Sequence, residues 1–158
     1  MSRASVVPSQ GPTGGFGSAT WANEPPSEAE RAKVRAERTI FRAILNNDIT
    51  EFNNTLSAHG DIIDINCESS GKMTPLHTAM AHGRVDMASC LIAKKANINA
   101  VNSLHFTPLI SAAYNGHDQC VRVALKAGAQ KEAKSVRGQT ALDIATERNH
   151  SAVVSILK

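Results

Sequence analysis

The tetrapeptide Thr74-Pro75-Leu76-His77 recurs as Thr107-Pro108-Leu109-Ile110 and again as Thr140-Ala141-Leu142-Asp143, 33 residues apart each time. No other feature constrains the fold as strongly. A unit of this size cannot bury its own apolar face, so it is stable only when neighbours stack on it. Residues at one register position then share one environment, and each side chain can be read against its equivalents one period away.

The repeated stretches run from Thr74 to Gly83, Thr107 to Gly116 and Thr140 to Asn149. Thr followed by Pro or Ala, an apolar run and then Gly or Asn is a short helix with both ends marked. Thr is the N-cap, Pro occupies the first turn where its missing N–H costs nothing, and Gly or Asn takes the left-handed closing position. A second helix follows in each unit, carried by Val85, Met87, Cys90, Leu91 and Ile92, by Cys120, Val121, Val123, Ala124 and Leu125, and by Val153, Val154, Ile156 and Leu157. Helix, tight turn, helix and projecting β-turn at this period, with the Thr-Pro-Leu-His signature, resembles the ankyrin repeat. The resemblance is strong from about Thr74 to Lys158. It implies an all-α ankyrin-repeat solenoid of helix–turn–helix units with projecting β-turns or hairpins.

Upstream, a degenerate first unit aligns Asp48 with Gly83, Phe52 with Met87 and Leu56 with Leu91, with two extra residues near Gly60. This register sets Ile44 and Leu45 against Ala79 and Met80, and the larger side chains suggest an atypical N-terminal capping repeat. Repeats are therefore expected at about 38–70, 71–103, 104–137 and 138–158, within a domain spanning 27–158. Ser27 and Glu30 have capping-box spacing. They open a charged helix whose Val34, Phe41, Ile44 and Leu45 are expected to share one face. Residues 1–26 are rich in Gly, Ser and Pro and read as a disordered tail, with Phe16 and Trp21 as its bulky aromatics.

The aromatic content of 4% suits a thin two-layer stack better than one thick core. A net charge of +3 without a long basic run argues against nucleic acid. No secretory h-region or transmembrane run is present, and Ser2 stands where N-myristoylation needs glycine, so no membrane partner and a cytoplasmic or nuclear location are expected.

Several residues imitate active-site chemistry. Cys90 shares its register with Val123 and Ile156, Cys120 with Met87 and Val153, and Cys67 with Ala100 and Ala133, so each thiol fills a small or apolar slot. His117 and Cys120 are spaced like a nucleophilic pair, but His117 lies in the interhelix turn, where His150 recurs one period later. The resemblance gives His77 a hydrogen-bonding role between repeats. Asp143, Glu147 and His150 also line up on one face, yet each holds a repeat position. No catalytic residue, cofactor or metal is expected, and the chain is read as not an enzyme.

Function is left to positions that vary between units. Ankyrin domains usually hold partners along the concave surface of hairpin tips and first helices, which the resemblance maps here to Met73, Thr78, His82, Leu104, Phe106, Tyr114, Asn115, Arg137 and Arg148. Leu104, Phe106, Tyr114 and Met73 are the expected apolar anchors, although Leu104 and Phe106 could instead pack against neighbouring tips. Arg137 and Arg148 are expected to form a charged rim with Glu147. Where the family carries Gly two residues before the signature threonine, this chain keeps Gly138 but has Lys72 and His105, which suggests looser turns or turns shaped for a partner. The reading is a monomeric, non-catalytic adaptor or regulatory subunit that binds another protein. The alternatives are an ankyrin-type inhibitor of an enzyme such as a kinase, or the recognition module of a larger enzyme. Asn99, eight residues after Leu91, also resembles a site of asparagine hydroxylation.

Overall fold

A computed structural model describes residues 25–158. The expectations for the tail, including Phe16 and Trp21, therefore lie outside the described residues except at Pro25 and Pro26. Among the described residues there are eight α-helices and no strand: α1 (Glu28–Asn46), α2 (Ile49–His59), α3 (Pro75–Ala81), α4 (Val85–Ala93), α5 (Pro108–Asn115), α6 (Asp118–Lys126), α7 (Ala141–Glu147) and α8 (Ser151–Leu157). The first helices α1, α3, α5 and α7 pack side by side in one layer, and α2, α4, α6 and α8 form the other.

The local sequence accounts for each helix end. The hydroxyls of Thr74, Thr107 and Thr140 accept the backbone N–H three residues on, and each helix begins at the next residue. Gly83 and Gly116 close the first helices' turns with φ of 67° and 77°, and Asn149 does so at 60°. Ala79, Ala112 and Ala145 are fully buried between first helices. Their small side chains let neighbouring helix backbones approach, while Leu76, Leu109, Met87 and Val121 fill the space between layers. Each fully buried leucine contributes about 2 kcal/mol relative to exposure.

The first unit is in a different register from the sequence alignment. The Asp48 N–H donates to the Ala43 carbonyl, as Arg84 does to Ala79 and His117 to Ala112. Asn47, with φ of 58°, therefore holds the Gly83 place, and Ala43 and Ile44 match Ala79 and Met80. The close-packing alanine is thus retained as Ala43, and no larger side chain replaces it. What makes the unit atypical is α1 itself. It starts in the expected Ser27–Glu30 capping box and occupies as helix the stretch where later units have a hairpin. Its core face is Ala36, Ile40, Ala43 and Ile44, whereas Val34 and Leu45 are 46% and 51% exposed, which corrects the expected apolar face.

Candidate functional site

The hairpin tips precede the signature threonines and are built by short polar side chains one period apart. Asn102 is buried, and its Oδ1 accepts the N–H groups of Leu104 (2.9 Å) and Phe106 (3.0 Å). Ser135 does the same for Arg137 and Gln139, and the Ser69 hydroxyl donates to the Met73 carbonyl. Lys72, His105 and Gly138 all have positive φ, at 56°, 54° and 75°. The backbone bonds across all three tips match, from Ser69 to Met73, Asn102 to Phe106 and Ser135 to Gln139. The first two tips are therefore not looser than the third. Val136 N–H also donates to the Leu104 carbonyl, tying adjacent tips together.

This frame presents Leu104, 56% exposed, while Phe106 is half-buried against the core. Of the two, Leu104 is thus the exposed side chain and Phe106 the packed one. The Phe106 ring lies 5.7 Å from that of Tyr114, tilted by 51°. Tyr114 stands on the last turn of α5, and the Arg148 guanidinium lies over its ring, 3.4 Å from the centroid. Phe106, Tyr114, Arg137, Ile144 and Arg148 line a shallow cleft of about 280 Å³.

The other expected contact residues are dispersed. Met73 is half-buried and its sulfur takes a hydrogen bond from Asn102 Nδ2 (3.2 Å). His82 and Asn115 are exposed at the ends of α3 and α5. Thr78 is only 7% exposed, because its register position, shared with the buried Ser111 and Ile144, is covered where first helices pack together. It leaves the candidate surface. Glu147 does not join an arginine rim either: it accepts from Gln139 Nε2 (2.6 Å), and the ion pairs among the described residues are Lys33–Glu37 and Arg42–Glu51.

A family model described as "Ankyrin repeats (3 copies)" matches residues 35–135 and 100–158. The chain belongs to the ankyrin-repeat family. Ankyrin repeats are in general a protein-interaction fold without catalysis. The chain is 33% identical over 84 residues to ankyrin repeat protein nuc-2 of Neurospora crassa, covering 52% of this chain and 8% of that one. It is 31% identical over 130 residues to the E3 ubiquitin-protein ligase Ufd4 of Drosophila melanogaster, covering 78% of this chain and 4% of the ligase. Ankyrin repeat and SAM domain-containing protein 6 of Rattus norvegicus is 31% identical over 81 residues, 51% of this chain and 9% of its own. The chain thus spans less than a tenth of the length of these relatives.

The residues that imitate an active site have scaffold partners in this ankyrin stack. His77 Nε2 donates to the Phe106 carbonyl (2.8 Å), and its Nδ1 takes the Thr74 hydroxyl (2.9 Å). His117 and His150 donate from Nε2 to the carbonyls of Ala81 (3.0 Å) and Tyr114 (3.1 Å). Asp143 accepts from the Thr140 N–H and hydroxyl, which hold its carboxyl below the usual range. Burial pushes the thiols of Cys67 and Cys120 up to about 12 and about 11, so neither is a thiolate near neutral pH. Asn99 Oδ1 accepts the Gln130 N–H (3.0 Å) and links two loops. Asn102 and the histidine ladder had a readable signal: Ser69, Asn102 and Ser135 recur at the period, as do Arg84, His117 and His150. The contact of Arg148 with Tyr114 had none, because it joins two helices at unrelated register positions.

Proposed function

We propose that this chain is a non-catalytic adaptor or regulatory module that grips a partner protein with its concave surface of hairpin tips and first helices. The observation that carries this reading is the aromatic cluster of Phe106 and Tyr114 beneath Arg148, flanked by exposed Leu104. Exposed aromatic and arginine side chains on a rigid frame are the usual anchors of an interface. His82, Asn115, Arg137 and Met73 form its periphery. The three free cysteines are compatible with a reducing compartment, cytoplasmic or nuclear. Affinity capture with wild type and with a Leu104→Ser, Phe106→Ser, Tyr114→Ala variant tests the assignment, with circular dichroism to show that the variant is folded. Partner recovery is expected to disappear. Equal recovery by the folded variant sinks the proposal.

A second reading makes the chain the recognition module of a larger enzyme. It is favoured by the match of 78% of this chain to a segment of a protein named as a ubiquitin ligase. Sequencing the full transcript decides it: a frame continuing into a catalytic domain supports this reading, and a frame confined to these 158 residues removes it.

A further inference from the structure

We propose that the cleft between the second hairpin tip and the last first-layer helix receives an acidic side chain of an extended peptide segment, seated bidentately on Arg148 beside an apolar neighbour. This deepens the concave-surface reading and rests on it. The decisive geometry is the 3.4 Å separation between the Arg148 guanidinium carbon and the Tyr114 ring centroid. At that distance the guanidinium must lie flat on the ring, because an edge-on approach would drive its N–H groups into the π face. Stacking therefore fixes the plane without using the N–H donors, whose directions run outward parallel to the ring.

The neighbouring carboxylate does not take them. Glu147 is held by Gln139, and neither Arg148 nor Arg137 belongs to an ion pair among the described residues. The cleft lining thus carries two guanidinium groups against one carboxylate already engaged. Buried Ile144 and half-buried Phe106 supply an apolar floor beside these cations. A pre-oriented fork with free donors, a second cation on the adjacent tip and an apolar floor are complementary to a carboxylate with an apolar residue next to it. The ring beneath the fork is itself held in place. Tyr114 is pinned through its carbonyl by His150 and through its ring by Phe106, so the receptor is ordered before a ligand arrives.

The test is selection of a randomised dodecapeptide library on the wild-type chain, followed by anisotropy titration of synthetic selected peptides. Asp or Glu is expected at a fixed position next to an apolar residue. Arg148→Gln is expected to weaken binding about ten-fold or more, and Arg148→Lys to restore only part of it, because lysine keeps the charge but not the fork. Replacing the peptide's acidic residue by its amide should cost wild type a similar factor and cost Arg148→Gln almost nothing. Equal amide effects on both proteins overturn the proposal, as does selection without acidic enrichment or no selection at all. Non-acidic peptides lost by Phe106→Ser, Tyr114→Ala would overturn it while leaving the concave-surface reading in place. Peptides indifferent to both sets of variants would overturn both.

Discussion

His77 shows how much one side chain can join. The Phe106 carbonyl can only accept, so Nε2 carries the proton, and Nδ1 faces the hydroxyl and N–H of its own N-cap residue, Thr74. The neutral ring is fully satisfied, and it links a helix cap to the next hairpin. Burial, chiefly, holds its pKa below the ordinary 6.5, with the Phe106 carbonyl acting in the opposite direction. Unfolding restores ordinary proton affinity, so the unfolded chain takes up the proton first as pH falls. The stability associated with the neutral ring is complete above 6.5 and is lost as pH drops through the lower folded-state value. His77→Gln keeps an acceptor at the capping-box position and cannot titrate. Its Tm should therefore fall less than that of wild type between about pH 7.5 and about pH 5; an equal fall refutes the role of His77. The tip residues give a second prediction. Lys72 and His105 occupy the left-handed conformation that Gly138 occupies one unit on. Lys72→Gly and His105→Gly should each gain up to about 1 kcal/mol in urea unfolding, and Gly138→Ala should lose about 1 kcal/mol. Destabilisation by either glycine would show that contacts of the native side chain outweigh backbone strain.

At the scale of the element, the two closing glycines are constrained twice. A Cβ on Gly83 would lie 2.8 Å from His117 Nδ1, and one on Gly116 would lie 2.7 Å from His150 Nδ1. Each histidine is held there by its bond to the preceding unit, so the ring cannot retreat without losing that bond. Asn149 has the same backbone conformation but already carries a Cβ, so its place accommodates one. Gly116→Ala should consequently cost about 2–4 kcal/mol, combining left-handed strain with overpacking, while Asn149→Ala should cost only about 1 kcal/mol. Similar costs in chemical denaturation would mean that the histidine yields freely. These turns also show why the sequence was legible in parts. Caps, helix starts and left-handed closures follow from short-range chemistry, and Thr74, Gly83 and Asn149 announce them. The first unit sits one residue away from the register its apolar residues suggest, because Asn47 and not Asp48 closes the turn, and the apolar positions of α2 tolerate either register. Thr78 is buried for a reason its sequence does not carry: helical spacing defines a face, but the approach of a neighbouring first helix decides whether that face is covered.

For the molecule as a whole, one apolar cluster runs from Ile40 to Leu157 without a break, and each unit packs only on its neighbours. The first and last described units differ from the interior ones. At the slot of Thr78 and Ser111, α1 carries Arg42, paired with Glu51 of α2. At the other end, Asp143 and Thr146 are exposed in the places of the buried His77 and Met80. Polar groups in these slots give the first and last described units fewer apolar contacts than the interior units have. Stability should accordingly be graded along the chain, as in any array held by nearest-neighbour interfaces. Leu109 and Leu157 are chemically equal probes of this gradient, the first wholly buried in the interior and the second 6% exposed on the last helix. Leu109→Ala removes packing toward both neighbouring units and should lower global stability by about 3 kcal/mol, accelerating amide exchange throughout 75–157. Leu157→Ala should accelerate exchange within α7 and α8 while α3 to α5 keep their protection. If Leu157→Ala instead speeds exchange uniformly, the units unfold as one block. The Arg148–Tyr114 contact, which bridges α5 and the C-cap of α7, would then be as stable as the central helices rather than the part of the binding face that opens first.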